Sequence, residues 1–261
     1  MNDEERRVAA AALLAAEDDR SPIEPMSTTY PDADVDDAYR VSMLVTAAKV
    51  ARGQVVKGQK IGLTSKAMQQ LVGSTEPDFG TLFADWFVDE GATVARADFN
   101  RPLVEVELAF IMGQRLAGPA VVASDVIRAT DFVVPSIEIV DTRYAGRGRH
   151  LLVDSISDAA SCGRVILGAC PKRLTDIDVR AVGAALLKNG YVEESGVASA
   201  VMGSPVNAVA WLANKLGEFG VALEPGDVVL SGSFVKAIPF AAGDTITASF
   251  AGFGDVTFHA S

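Results

Sequence analysis

The sequence has few of the residues that build disulfide frameworks, zinc sites and histidine-based catalytic triads. Its 261 residues include two cysteines and two histidines. Cys162 and Cys170 cannot form a disulfide framework, and their spacing differs from the paired CxxC motifs of structural zinc sites. His259 lies at the end of the chain and His150 stands alone, so a Ser-His-Asp triad or a Cys-His pair is poorly supported. The cysteine usage favours a reduced, cytoplasmic protein.

Positive charge and long apolar runs are also scarce. The chain has 23 Lys and Arg against 34 Asp and Glu, a net charge of −11, and no basic run exceeds a pair. Binding to nucleic acid or to an anionic membrane is therefore not expected. Charged residues interrupt every long apolar stretch, so no transmembrane helix is predicted. Residues 8–16 resemble the centre of a signal peptide, but their acidic flanks predict an amphipathic helix that buries Leu13 and Leu14.

The pattern of the chain changes after about residue 55. The N-terminal part is predicted to contain a first helix, an extended proline-containing connection over 21–34 and a helix from Asp36 to Val50. A break follows at Gly53. Beyond residue 56, short β-branched or alternating runs separated by turn signals predict strands. The sequence therefore predicts an α+β protein, with a helical N-terminal region over 1–55 and a β-rich catalytic domain over 56–261.

Three local signals refine the β-rich part. Asn189-Gly190 between two strand-like runs predicts a tight hairpin. Two helices are predicted to interrupt the strands: one begins at Ser124 and runs to Asp131, and the other begins at Ser204-Pro205 and ends at Gly217 or Gly220.

Three glutamates are candidate metal ligands. In residues 103–110 the alternation of a strand places Glu105 and Glu107 on one face, where they would either face solvent or form a site. Residues 132–140 are almost entirely apolar, so this strand should be buried on both faces with Glu138 in its middle. A buried carboxylate is costly unless it is paired or metal-bound. Three carboxylates without histidine or cysteine suit Mg²⁺ or Mn²⁺ better than zinc.

Two further residues have alternative interpretations. Lys60 stands between apolar residues and glycines, so its side chain would either project into a cleft or extend outward to solvent. Asp78 lies in an acidic turn before an aromatic run, where the local pattern favours capping of backbone amides. Neither a P-loop nor a dinucleotide-binding glycine motif is present.

Five segments together resemble the 2-hydroxypentadienoate hydratase and 4-oxalocrotonate decarboxylase group of the fumarylacetoacetate hydrolase superfamily. They are KIGLTSKAMQ at 60–69, EPDFGTLFAD at 76–85, VEVELAF at 104–110, ATDFVVPSIEIVDTRY at 129–144 and NAVAWLANKLGEFGVALEPGDVVLSGSF at 207–234. The resemblance covers nearly the whole chain and implies a β-rich domain with mixed, rolled sheets. It implies that Glu105, Glu107 and Glu138 hold one magnesium or manganese ion, and that Lys60 and Asp78 transfer protons beside the metal.

The chain departs from this group near the expected pocket. Relatives usually read S-D-N-A-[SA] where this chain has Ala159 in place of the asparagine, followed by Ser161 as a candidate substrate-binding residue. Relatives usually read G-H-P where this chain has Ser204. The loop from Tyr144 to His150, with Arg143, Arg147 and Arg149 in or beside it, is interpreted as a solvated basic loop, the alternative being contact with a second substrate carboxylate. The exact substrate is therefore left open.

The resemblance implies a metal-dependent hydratase, a lyase that adds water to a 2-hydroxy-2,4-dienoate and gives a 4-hydroxy-2-oxo acid in aromatic or steroid ring catabolism. Decarboxylation of 2-oxo-3-hexenedioate is the main alternative, disfavoured because the decarboxylases tend to lack the aspartate at position 78. Hydrolysis of an acylpyruvate would need a histidine near the N-terminus, and no histidine precedes His150. A non-catalytic assembly subunit would be expected to have lost these acidic residues. The resemblance also implies a homo-oligomer, and a pathway aldolase or decarboxylase is a conceivable partner.

Overall fold

Two long helices form the N-terminal part of the protein. The computed structural model describes residues 1–146 and 150–261. Both helices begin at a capping box, in which Asn2 and Asp34 accept from the backbone three residues on, an arrangement that satisfies the free amides of the first turn. The helices run in the same direction, because Arg6 contacts Asp37 near both starts and Lys49 contacts Glu17 near both ends.

The helices and strands are numbered in chain order. The helices are α1 (Asp3–Asp19), α2 (Met26–Thr29), α3 (Val35–Ala51), α4 (Lys66–Val72), α5 (Ala123–Ala129), α6 (Leu152–Ser157) and α7 (Pro205–Gly217). The strands are β1 (Val56–Gly62), β2 (Asp78–Phe83), β3 (Phe87–Val88), β4 (Thr93–Val94), β5 (Leu103–Met112), β6 (Thr130–Val140), β7 (Cys162–Leu167), β8 (Gly183–Lys188), β9 (Tyr191–Val197), β10 (Val228–Leu230), β11 (Ile238–Pro239), β12 (Thr245–Phe250) and β13 (Gly254–Ala260). Within the described ranges, none of the helices is both long and apolar enough to cross a bilayer.

The strands form two mixed sheets. The larger sheet has the order β2-β1-β10-β5-β6-β7-β3, with β11 beside β5, and the smaller has the order β4-β13-β12-β8-β9. A single 3₁₀ turn, Ala84–Trp86, joins the two edge strands β2 and β3 of the larger sheet. Because so short a connection brings the two edges together, the larger sheet curls into a roll, as the resemblance implies.

The register of the roll places five polar residues on its inner face. Glu105 of β5 lies opposite Glu138 of β6. Lys60 of β1 lies beside Leu230 of β10, which is opposite Ala109 of β5. Residues that face each other across paired strands project to the same side of a sheet. By the same rule Asp78, paired with Gly62, shares the face of Lys60, and Glu107 shares the face of Glu105.

Apolar packing differs between the two faces of the roll. The inner face carries buried apolar residues beside the polar ones: Leu82, Ala109, Val134, Val165, Val228 and Leu230. The outer face belongs to the main core, in which Ile61 and Phe79 of the roll pack with Leu13 of α1 and Tyr39 of α3. Tyr39 stacks on Phe79 with ring centroids 4.6 Å apart. The helical region therefore covers the outside of the roll, and the division into two units at residue 55 stays a prediction.

Several element predictions are confirmed. Leu13 and Leu14 are buried in α1, and α3 covers the helix predicted from Asp36 to Val50, although its acidic cap is Asp34. The Asn189-Gly190 turn joins β8 to β9, and α7 begins with Pro205 at its first position.

Other element predictions are wrong, for local reasons. The connection over 21–34 contains the short helix α2. Helices α4 and α6 were not expected, because seven and six residues are too few to show a helical period. Helix α5 begins one residue before Ser124, and its first turn is capped by Asp125, which accepts from Val122 N at 3.0 Å.

Gly80 offers a test of how closely the roll is packed. A Cβ added to Gly80 on β2 would lie 2.0 Å from the carbonyl oxygen of Ala159. Because backbone cannot move aside cheaply, Gly80→Ala should lower the free energy of unfolding by about 1–3 kcal/mol, measured by urea denaturation. Gly183→Ala on β8 is the matched control, since the nearest atom would lie 3.7 Å from the new Cβ. Equal stability of both variants would contradict the close packing.

Candidate metal and catalytic site

Three carboxylates converge on the inner face of the roll. Glu105 and Glu107 project from β5 and Glu138 projects from β6, and one carboxylate oxygen of each lies within 4.8 Å of the others. Glu107 and Glu138 are completely buried, whereas Glu105 is half-buried. The two-residue alternation of β5 and the β5–β6 register together produce this cluster.

Most of the buried oxygens in the cluster have no hydrogen-bond donor. Glu107 Oε2 accepts from the amide of Gly232 at 2.7 Å. Glu107 Oε1 and both oxygens of Glu138 accept no hydrogen bond from the described residues. Buried carboxylate oxygens that accept no hydrogen bond are costly. The three carboxylates of the cluster also provide the oxygen ligands that a hard divalent cation prefers. The donor set therefore fits Mg²⁺ or Mn²⁺.

Burial and mutual repulsion raise the pKa values of two carboxylates in the cluster. Burial raises the pKa of Glu105 to about 7, an effect that Lys60 opposes and Glu138 reinforces. Burial and the neighbouring carboxylates of Glu138 and Glu105 raise the pKa of Glu107 well above its usual range. Both shifts have the same physical origin, because confined negative charges repel one another and have lost their hydration.

Lys60 points into this cluster. It is 3% exposed, and its Nζ lies 3.1 Å from Glu138 Oε1 in an ion pair that lacks hydrogen-bond alignment. The same Nζ donates to the carbonyl oxygen of Ala160 at 2.9 Å. Burial alone would lower the pKa of Lys60, but the carboxylates, Glu138 foremost, outweigh it and raise the pKa. The outward orientation considered from the sequence is therefore wrong.

Asp78 lies beside Lys60 and is completely buried. It is the first residue of β2, and its Oδ2 accepts from Ser155 Oγ of α6 at 2.5 Å, while Oδ1 has no hydrogen-bond partner. Burial raises the pKa of Asp78, and Lys60 and the Ser155 hydroxyl act in the opposite direction. Asp78 therefore faces the site instead of standing exposed in the turn. A Cβ at Gly62 would lie 2.3 Å from Asp78 Oδ1, so a side chain at this position would displace the Asp78 carboxylate.

The structure adds three groups that sequence reasoning missed: the Ser155 hydroxyl, the Ala160 carbonyl and the Gly232 amide. Ser155 is 77 residues from Asp78, and Ala160 is 100 residues from Lys60. No local pattern links positions so far apart, and two of the three groups are backbone groups that carry no residue signature.

Ser161 and Arg143 lie beside the site. Ser161 is half-buried, and its Oγ donates to Asp158 at 3.4 Å. Arg143 is part-buried, with 11% of its side chain exposed, and pairs with Asp158, so the solvated interpretation is wrong for this arginine. Arg147 and Arg149 lie outside the described residues.

Comparison with known proteins finds relatives over nearly the whole chain. Residues 46–259 match the family model described as fumarylacetoacetate (FAA) hydrolase C-terminal. The chain is 41% identical to 2-oxo-hept-4-ene-1,7-dioate hydratase of Escherichia coli, covering 95% of each sequence. It is 36% identical to 2-keto-4-pentenoate hydratase of Paraburkholderia xenovorans, covering 98% of this chain and 95% of the relative. A solved structure of 4-oxalocrotonate decarboxylase from Pseudomonas putida G7, complexed with magnesium and adipate, superposes with a TM-score of 0.97 at 32% identity, covering 100% and 99% of the two chains.

Proposed function

The chain belongs to the fumarylacetoacetate hydrolase family, and we propose that it is a hydratase acting on a short 2-hydroxy-2,4-dienoate. The reaction adds water and gives a 4-hydroxy-2-oxo acid, a lyase chemistry suited to aromatic or steroid ring catabolism. The observation that carries the proposal is the single buried cluster of three carboxylates, Lys60 and Asp78. Relatives named as hydratases at 36–41% identity support it.

We propose that Glu105, Glu107 and Glu138 hold one divalent cation, Mg²⁺ or Mn²⁺. The donor-free oxygens of Glu107 and Glu138 support this assignment, as does the magnesium in the decarboxylase structure. When bound, the cation would supply Lewis acidity toward the substrate's carboxylate and 2-oxygen.

Lys60 and Asp78 would move protons on the substrate. The Lys60 ammonium, held by Glu138 and the Ala160 carbonyl, would hold a proton beside the negative charge that develops during ketonisation to the 2-oxo-3-enoate. Asp78 has one oxygen fixed by Ser155 and one without a donor. That free oxygen would accept a proton from the water that attacks C4. Proton transfers by positioned groups each contribute about 10²–10⁴-fold to a rate.

Decarboxylation of 2-oxo-3-hexenedioate is the second candidate, because the superposed magnesium complex is a decarboxylase. Both reactions need an electron sink at the 2-oxo acid, so the carboxylate cluster does not separate them. Asp78 separates the two reactions, because hydration requires a base that takes a proton from water, whereas decarboxylation requires only a later protonation. The buried Asp78 beside Lys60 therefore favours the hydratase.

We expect the purified protein with magnesium to convert 2-hydroxypenta-2,4-dienoate to 4-hydroxy-2-oxopentanoate without release of carbon dioxide. Asp78→Asn should lower this hydration by about 10²–10⁴-fold, because the amide cannot accept the proton of water, and should affect any residual decarboxylation far less. Product analysis by chromatography and carbon dioxide release, with both substrates, provides the measurement.

Asp85→Asn is the matched control, because Asp85 lies just beyond β2 and its carboxylate accepts from Gln54 outside the roll. This variant should retain full hydration. Release of carbon dioxide from the dioate by the wild-type protein, with the dienoate left unchanged, would replace the hydratase proposal with the decarboxylase. The same preparation tests two further proposals. Sedimentation tests whether the protein is a homo-oligomer, and comparison of activity with Mg²⁺ and with Mn²⁺ tests which metal it prefers.

A further inference from the structure

A strained turn lies directly beside the candidate site. Ala159, Ala160 and Ser161 have φ angles of 50°, 50° and 59°, so three consecutive residues with side chains adopt the left-handed backbone conformation. In L-residues the Cβ crowds the backbone in this conformation, and single residues rather than runs normally adopt it. Such strain persists only where the surroundings hold it in place.

The turn provides a hydrogen-bond acceptor for Lys60. Its central carbonyl, that of Ala160, accepts from Lys60 Nζ at 2.9 Å. The carbonyl of the preceding Ala159 lies over Gly80 of β2, where a side chain would collide with it. The backbone conformation of the turn therefore decides where the Lys60 ammonium is held.

Arg143 donates hydrogen bonds to the residues on both sides of the turn. Its Nη2 donates to the carbonyl of Asp158 at 2.6 Å, and its Nη1 donates to the carbonyl of Cys162 at 2.7 Å. Its Nε donates to the Asp158 carboxylate, which also accepts from Thr142 Oγ1 at 3.0 Å. One rigid, planar guanidinium group thus contacts the residues that precede and follow 159–161. A lysine ammonium, which is a single point donor, cannot reproduce this fork.

We propose that Arg143 is a positioning residue: it holds the 159–161 turn in its left-handed conformation and thereby fixes the Ala160 carbonyl that orients Lys60. The consequence for catalysis rests on the proposed function of Lys60 in proton transfer. Arg143 touches neither the carboxylate cluster nor Lys60 in the contacts that the described residues make, so its removal leaves the proposed metal ligands in place.

The surroundings of Arg143 allow a direct rescue experiment. A cavity of about 490 Å³ between the N-terminal helices and the rim of the roll has Arg143, Trp86 and Cys162 in its lining. Guanidinium ions can therefore enter the space that the side chain vacates in Arg143→Ala.

The experiment compares the wild-type protein with Arg143→Ala and Arg143→Lys, and takes Arg6→Ala as the matched control. Arg6 also forms a part-buried contact with an aspartate, since its Nε and Nη2 both donate to Oδ1 of Asp37, but it lies in α1 away from the turn. Hydrogen exchange by mass spectrometry reports the turn without reference to activity. Both Arg143 variants should accelerate exchange over 157–163, whereas Arg6→Ala should leave that segment unchanged.

Steady-state kinetics with the dienoate report the consequence. Both Arg143 variants should lower kcat by about tenfold or more with Mn²⁺ affinity unchanged, and any rise in KM, from Ser161 in the turn, should be smaller than the fall in kcat. Millimolar guanidinium should restore part of kcat to Arg143→Ala, and an equal concentration of sodium should not.

Three results would overturn the inference: unchanged exchange over 157–163, an equal loss of kcat in Arg6→Ala, or a loss of Mn²⁺ affinity that matches the loss of kcat. A wild-type protein that does not hydrate the dienoate would instead overturn the proposed function. In that case the exchange data alone would still support or refute the role of Arg143 in holding the turn.

Discussion

Lys60→Met should retain the bound metal and lose most of the turnover, a fall in kcat of about 10²–10⁴-fold. Methionine fills a similar volume without the ammonium, so the variant removes the proton and the positive charge next to Glu138 while the roll stays packed. The measurement is kcat for hydration together with Mn²⁺ binding followed by titration calorimetry.

Lys49→Met is the matched control for this prediction. Both lysines have side chains that are 3% exposed and both pair with a glutamate, Lys49 with Glu17 at 2.5 Å. Lys49 lies over the rings of Phe83 and Trp86 rather than in the carboxylate cluster. Its replacement should lower stability but preserve kcat of the folded protein. Loss of metal together with activity in Lys60→Met would make Lys60 a structural residue.

Removal of the divalent cation should abolish activity. Chelation with EDTA should reduce hydration to background, and added Mg²⁺ or Mn²⁺ should restore it, because the proposed ligands are three carboxylates with one oxygen of each within 4.8 Å of the others. Glu107→Gln replaces one anionic ligand with a neutral amide of the same shape. Changes to outer partners of a metal ligand typically cost 10–100-fold in affinity, so loss of a direct ligand should weaken Mn²⁺ binding by at least about 100-fold.

The fold should survive Glu107→Gln, since the variant removes a costly buried charge and raises no volume conflict. Glu193→Gln on β9 is the control: this glutamate is exposed, and its replacement should leave both metal affinity and kcat unchanged. Normal activity of Glu107→Gln and of EDTA-treated wild-type protein would contradict the metal site.

The carboxylate cluster illustrates how much of the site could be predicted locally. Glu105 and Glu107 share a face because a strand alternates with a period of two, and that alternation is written in residues 103–110. Glu138 stands out because it interrupts an apolar run. Lys60 and Asp78 were different, since their flanking residues allowed outward or turn-capping orientations, and only the resemblance gave them a role.

The strands, the two long N-terminal helices and the three metal-ligand candidates were determined by the sequence alone, because each depends on periodicity or on one charged residue in an apolar run. The tertiary structure decided which way Lys60 and Asp78 point, and it placed Ser155 on Asp78 and the Ala160 carbonyl on Lys60. It also placed Arg143, expected to be solvated, in a part-buried position where it donates to the carbonyls of Asp158 and Cys162 on either side of the 159–161 turn. These contacts join residues that are distant along the chain and pass through backbone atoms. They exist only once the sheet has curled and the segments after β6 have packed over its inner face.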